Sequence, residues 1–121
     1  MANGERRWTV EWYETAGKVV PMRAFMASLN DKHHEDALAM IEQIARHGNT
    51  LRAPHSSLVR DGLYELRRSG GGQVRIFFVF RPGHRVVLLD GVVKKKDKLE
   101  TRDVDRALRM KRDLEEREGR A

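Results

Sequence analysis

The stretch GLYELRRSGGGQVRIFFVF, residues 62–80, restricts the fold more than any other part of the chain. Two runs rich in β-branched and aromatic residues flank a serine–glycine cluster, which is the pattern of a β-hairpin. In the second run the even positions, Val74, Ile76, Phe78 and Phe80, are all apolar and define a face that packs on a core. The odd positions, Gln73, Arg75, Phe77, Val79 and Arg81, mix cations with apolar groups, so Arg75 points to the other face. In the first run Tyr64 and Leu66 are core candidates. Glu65 and Arg67 then share the second face with Arg75.

Turn length decides which of these charges meet. Residues directly opposite in an antiparallel pair lie on one face, so matching the even core positions requires an odd number of loop residues. A three-residue loop, Ser69 to Gly71, sets Arg68 opposite Gly72 and Glu65 opposite Arg75. A five-residue loop sets Arg67 opposite Arg75, a like-charge pair that costs stability unless an anion lies between them. In the first register Arg75 is half of an exposed ion pair contributing about 0.2–1 kcal/mol. Arg68 reads as an edge or turn residue.

Around the hairpin the periodicities give an order of elements. RRWTVEWY alternates Trp8, Val10 and Trp12 with polar neighbours, as a half-buried strand does. PMRAFMASL places Met22, Phe25, Met26 and Leu29 on one helical face, with Pro21 in the first turn. A second helix is capped by Asn30 or Asp31, carries the stripe Ala37, Ile41, Ile44 and Ala45, and ends at Gly48. Asn49 to about Asp61 reads as a loop broken by Pro54. Strands follow at roughly 62–68, 73–81 and 85–94, with turns SGGG and RPGH. The last segment, Thr101 to about Glu118, is helical, with Thr101 as cap and Val104, Ala107, Leu108 and Leu114 inside. The expected fold is α+β, in the order βααβββα. It has an N-terminal strand, a helical hairpin, a three-strand antiparallel meander and a C-terminal helix covering at least one sheet face.

At 121 residues with no linker composition, one domain over 1–121 is expected. No cysteine is present, which excludes disulfides, thiolate chemistry and cysteine-based zinc sites and suits a cytoplasmic setting. No apolar run is long enough to cross a bilayer, and no signal-peptide core is seen, so no membrane association is expected. Lys and Arg number 24 against 18 Asp and Glu, a formal charge of +6. That excess favours a polyanionic partner through counterion release, or an acidic protein surface.

The cations are clustered. Lys94, Lys95, Lys96 and Lys98 gather where the last strand runs out, beside the face that carries Arg67 and Arg75. Such runs are solvated faces in many proteins, but guanidinium forks and ammonium groups converging over an apolar floor are what a phosphodiester binder needs. No HExxH, Walker loop or GxSxG occurs, and no metal or small-molecule cofactor is expected. His33 and His34 are adjacent on a helix and diverge, His47 suits a helix end, and His84 lies in the RPGH turn. His55, the only histidine in the irregular loop before the hairpin, is the acid–base candidate.

Taken together, PMRAFMASL, GNTLRAPHSSLVRDGLYELR, QVRIFFVF, VVLLDGVVKKKDK and DVDRALRMKRD resemble the HigB-like branch, also called phage-derived Gp49-like, of the RelE/ParE toxin superfamily. The similarity spans nearly the whole chain in the same order. It implies a RelE-like fold and a type II toxin that binds the ribosomal A site and cuts mRNA. A helix-turn-helix HigA-like antitoxin would neutralise it, through an acidic segment laid over the cationic face or against the helical hairpin. The family reaction, attack of a 2′-OH on the adjacent phosphate, needs no metal. By the resemblance Arg75 contacts the scissile phosphate, Arg67 assists it, and Lys94, Lys95 and Lys98 position RNA and aid proton transfer. Lys96, Arg60 and Arg81 are further RNA contacts. Ser57 stands where many relatives carry lysine, and His55 is the candidate to replace that lysine. Some toxins of the superfamily also use a tyrosine or histidine near the C-terminus, but here no tyrosine follows Tyr64 and no histidine follows His84. The alternatives are a ParE-like inhibitor of DNA gyrase and a non-catalytic RNA- or protein-binding module on the same fold.

Overall fold

A computed structural model describes residues 8–68, 72–95 and 98–119. Its elements are β1 (Thr9–Trp12), α1 (Pro21–Ala27), α2 (Asp31–His47), a 3-10 turn (Gly48–Thr50), β2 (Ser56–Arg60), β3 (Leu63–Leu66), β4 (Val74–Arg81), β5 (Arg85–Val93) and α3 (Thr101–Glu118). The strands make a five-stranded sheet in the order β1-β5-β4-β3-β2. Only the β1–β5 pair is parallel. The α+β class and the expected order hold, with one correction. The loop expected between Asn49 and Asp61 contains the edge strand β2, so the meander has four strands and the order is βααββββα. Asp61 and Gly62 turn the chain back from β2 into β3, both at positive φ.

Both faces of the central strands are buried. On the even face Val74, Ile76, Phe78, Val86 and Leu88 pack under Met22, Phe25 and Met26 of α1 and Ala37, Met40 and Ile44 of α2. On the odd face Phe77, Val79, Val87 and Leu89 pack under Val104, Ala107 and Leu114 of α3. A bulge between Phe77 and Phe78 shifts the β4–β5 register and brings Gly91 opposite Ile76, on the α1 side. A Cβ at Gly91 would lie 2.3 Å from the Phe25 ring, so only glycine lets α1 come this close to the sheet.

The helix ends follow local chemistry. The Asn30 side chain accepts the His33 N–H at 2.8 Å and caps α2. Gly48 ends it at φ +51, where a Cβ would strike the Trp8 ring at 2.0 Å. The cap position of α3 is Glu100 rather than Thr101, and no side chain caps it.

Two polar clusters fasten α3. Near its middle, the Tyr13 hydroxyl donates to Asp113 at 2.6 Å and Arg117 lies 5.5 Å from the centre of the Tyr13 ring. At its end, Glu118 accepts from Arg81 at 3.0 Å and from Arg85 at 2.6 Å, while Arg85 also donates to Glu11 at 2.8 Å. Arg81, expected to contact RNA, is therefore not a surface cation. It is buried, and it also donates to the Gly119 carbonyl at 2.7 Å. The ion pairs of this cluster reach across the sheet edge, so α3 is tied to β1, β4 and β5 at once.

The Arg85 hydrogen bond, then that of Arg81, holds the Glu118 carboxyl below its ordinary range despite partial burial. A carboxylate whose native pKa is lowered stabilises the fold above its unfolded value and loses that contribution as pH falls through the native one. Glu118→Gln is expected to cost about 1–2 kcal/mol at pH 7. The gap to wild type closes on titration down through the carboxylate range, as thermal melts at stepped pH will report.

Candidate nucleic-acid interface

Three strands reach the same end of the sheet: the end of β3, the start of β4 and the end of β5. This is where most of the expected cations stand. Pairing of Glu65 with Phe77 and of Leu66 with Ile76, continued by one residue, sets Arg67 across from Arg75. The longer-loop register is the one adopted. The anion that this register requires comes from a diagonal position, for Glu65 Oε1 lies 3.3 Å from Arg75 Nε.

Arg75 is the main departure from expectation. It is only 5% exposed, on the sheet face that α3 covers, rather than open to a phosphate. Its Nη1 donates to the Gly72 carbonyl at 2.5 Å and the Val74 carbonyl at 3.1 Å. Glu65, also buried, accepts a long hydrogen bond from the Ser57 hydroxyl at 3.5 Å. Arg75 thus binds the backbone where the chain enters β4. A contact with a scissile phosphate would require the charged group to leave the carboxylate and two carbonyls that it faces.

Arg67 has the opposite character. The β3–β4 ladder stops at Leu66, and Arg67 lines a cavity of about 150 Å³ with Met40, Gln43, Leu51 and His55. The Arg67 backbone N–H donates to the His55 carbonyl at 2.9 Å, which brings these two residues together from segments that precede and follow the β2–β3 hairpin. Arg67 Nε is buried and has no hydrogen-bond acceptor. An unsatisfied guanidinium N–H in a cleft is costly, and a phosphate oxygen is the acceptor it fits best. The cavity is smaller than the roughly 300 Å³ at which whole-ligand pockets begin. It has room for one anionic group, not for a nucleoside.

Arg68, given no role from sequence, stands at the mouth of the same cavity. Its Nη1 lies 3.3 Å from Asp36, a buried carboxylate of α2 that Lys32 also approaches at 3.4 Å. The spacing of Asp36 on α2 marks it as inward-facing, but only the fold identifies Arg68 as its partner.

The lysines lie at the same end of the sheet. Lys94 is half-buried and its backbone N–H donates to Gln73 at 2.9 Å; Lys95 and Lys98 are exposed. The three line a hollow of about 240 Å³ with Val92, Glu100 and Asp103. Lys96 lies outside the described residues. Arg60 is exposed but sits at the β2–β3 turn, paired with Asp61 at 3.2 Å, at the other end of the sheet. The fold therefore brings Arg67, Arg68, His55 and the lysines of the β5 exit to one sheet end. It seals Arg75 and leaves Arg60 and Arg81 remote.

The cavity can hold an anion, with a guanidinium N–H that lacks an acceptor inside and a second guanidinium at the rim, and the ammonium groups line a separate hollow at the same sheet end. The His55 imidazole is half-buried on the cavity wall.

A family model described as phage-derived protein Gp49-like matches residues 24–112. Among solved structures, the chain is similar to one in the crystal structure of the toxin–antitoxin complex RelBE2 from Mycobacterium tuberculosis. That match has 17% identity, a TM-score of 0.51, and coverage of 72% of this chain and 98% of the other. This likeness is one of fold, and the fold is RelE-like. No curated protein matches the chain by sequence. No described helix is long and apolar enough to cross a membrane.

If Arg75 is a structural cation, removing it leaves a buried carboxylate without its charge partner. Arg75→Met is expected to lower stability by about 3 kcal/mol, because breaking one side of a buried pair costs far more than the pair contributes. Arg67→Ala is expected to cost less than about 1 kcal/mol, as loss of a half-buried side chain with an unpaired donor. Urea unfolding curves compare the two directly, and an Arg75→Met curve overlying wild type would refute the structural role.

Proposed function

The chain belongs to the phage-derived Gp49-like family and has a RelE-like fold, and on that premise we propose that it is the toxin of a toxin–antitoxin pair, a ribosome-dependent endoribonuclease. The observation that carries the reading is the buried, unsatisfied Nε of Arg67 beside His55, at the sheet end where Arg68, Lys94, Lys95 and Lys98 also stand. The His55 imidazole takes the proton from the RNA 2′-OH, and the 2′ oxygen attacks the adjacent phosphorus. The bond from phosphorus to the 5′ oxygen breaks, leaving a 2′,3′-cyclic phosphate and a 5′-OH. A lysine ammonium of the β5 exit delivers the proton to the leaving oxygen. Arg67 carries the extra negative charge on the equatorial phosphate oxygens, a form of stabilisation worth about 10²–10³ in rate for one well-aimed donor. One P–O bond forms as another breaks, and the step asks of the protein only proton transfer and charge stabilisation, with no metal.

In this reading Arg75 is a positioning residue. By holding Gly72 and Glu65 it fixes the start of β4 against β3, the strand that Arg67 and Arg68 continue. The net charge of +6 draws the chain to RNA and to an acidic segment of a helix-turn-helix antitoxin, which would cover the same cations.

Brief expression followed by mapping of mRNA 5′ ends tests class and mechanism together. New ends are expected within translated codons, and Arg67→Ala should reduce them about 100-fold or more while the protein remains folded. Intact messages accompanied by DNA breaks would instead indicate a gyrase inhibitor, and an Arg67→Ala variant as toxic as wild type would remove Arg67 from the reaction.

A further inference from the structure

The cationic end is not the largest concavity. A groove of about 580 Å³ opens at the other end of the sheet, on the face that bears α1 and α2. We infer that it is a stacking site for the bases of single-stranded RNA, an inference that rests on the RNA-cleaving reading of the Arg67 site. The groove exists because α2 ends at His47 and its cover stops short of the corner formed by β2, β3 and the end of β4. Its floor is aromatic, with Trp8, Tyr64 and Phe80 half-buried against the core and His84 exposed. His84, Trp8, Phe80 and Tyr64 form a connected row, with successive ring centres 4.7, 5.5 and 5.0 Å apart. Leu58, 59% exposed on the edge strand, forms the lip, and exposed Arg52 stands beside it.

Charge and size select the occupant. The volume falls within the range of about 300–1,000 Å³ that small ligands occupy. No carboxylate is among the described residues that line the groove, although Arg46 and Arg60 elsewhere on the surface pair with Glu42 and Asp61. An anionic ligand with flat apolar faces meets both requirements, and a nucleobase on a phosphate chain is such a ligand. Aromatic platforms of this kind accept every base, because each has a π-face.

Continuity with the proposed reaction site gives the direction. Leu51 lines both this groove and the Arg67 cavity. Tyr64 precedes Arg67 by three residues, about 10 Å along an extended chain. A strand with its phosphate on Arg67 can therefore run along β2 and β3 and lay neighbouring bases in the groove. Stacking there would hold the substrate without touching the reacting atoms, so it would lower KM rather than raise kcat.

The chain has two tryptophans, so Trp12→Phe leaves Trp8 as the sole reporter. This protein is titrated with a 2′-O-methyl oligoribonucleotide, which cannot react, and with an abasic oligomer of equal length and charge. The base-bearing strand is expected to quench Trp8 emission and to bind about tenfold tighter than the abasic one. Adding Leu58→Glu should abolish most of that difference with an unchanged thermal melt, and should raise KM for cleavage with little change in kcat. Equal binding of both oligomers, or binding without quenching, overturns the inference. So does burial of Trp8 by self-association in sedimentation runs without RNA, which would assign the groove to a second copy. Leu58→Glu cleaving with wild-type KM sinks the stacking site alone, whereas absence of oligonucleotide binding together with absence of new mRNA ends sinks the nuclease reading too.

Discussion

Burial of β4 and β5 on both faces is the constraint from which the rest of the structure follows. Antiparallel strands in small domains commonly leave one face to water. Here α1 and α2 pack on Val74, Ile76 and Phe78, while α3 packs on Phe77 and Val79. A charge on the covered part of these strands is then inside the protein and must be neutralised there. Arg75 meets Glu65, and Arg81 meets Glu118. Both arginines are fixed by the same circumstance: a strand that carries them at odd positions and a helix that covers those positions.

The consequence for function is a change in where free positive charge can be found. The arginines in the ladder are consumed by the fold, and Arg67, just beyond it, is not. Arg67 leaves the ladder one residue after Leu66 and keeps an unsatisfied N–H in a cleft. Lys94 and Lys95 follow Val93 at the end of β5 and stand at the same sheet end. A buried ion pair gives rigidity and position, and a side chain beyond the last pair gives a binding group. The sheet end uses both, with the Arg75–Glu65 pair holding the chain from which Arg67 and Arg68 project.

Much of this was legible in the sequence because it is local. The 3.6-residue stripe of α2, its Asn30 cap and its Gly48 stop, and the even apolar face of β4 each depend on neighbours a few residues away, and each stands as expected. The parts that were not legible depend on distant partners. β2 was missed because Ser56 and Ser57 lack strand character alone and become strand only by pairing with Leu66 and Glu65. Arg81 looked like a surface cation because its carboxylate is 37 residues away. The burial of Arg75 did have a signal. Phe77, Val79, Val87 and Leu89 are apolar on the second face, which marks strands covered on both sides. Weighing those four residues above the two arginines would have placed α3 over Arg75 and moved attention to Arg67. The aromatic row from His84 to Tyr64 had no such signal, since its members come from three separate segments.

The division of labour between the two arginines is the central claim, and one structure tests it. Crystals of the protein with a non-cleavable 2′-deoxy dinucleotide should show a phosphate oxygen within hydrogen-bond distance of Arg67 Nε, with the Arg75–Glu65 contact unchanged from 3.3 Å. A phosphate seated on Arg75, with Glu65 displaced and Arg67 turned away, would contradict the account and restore the strand arginine to the reaction.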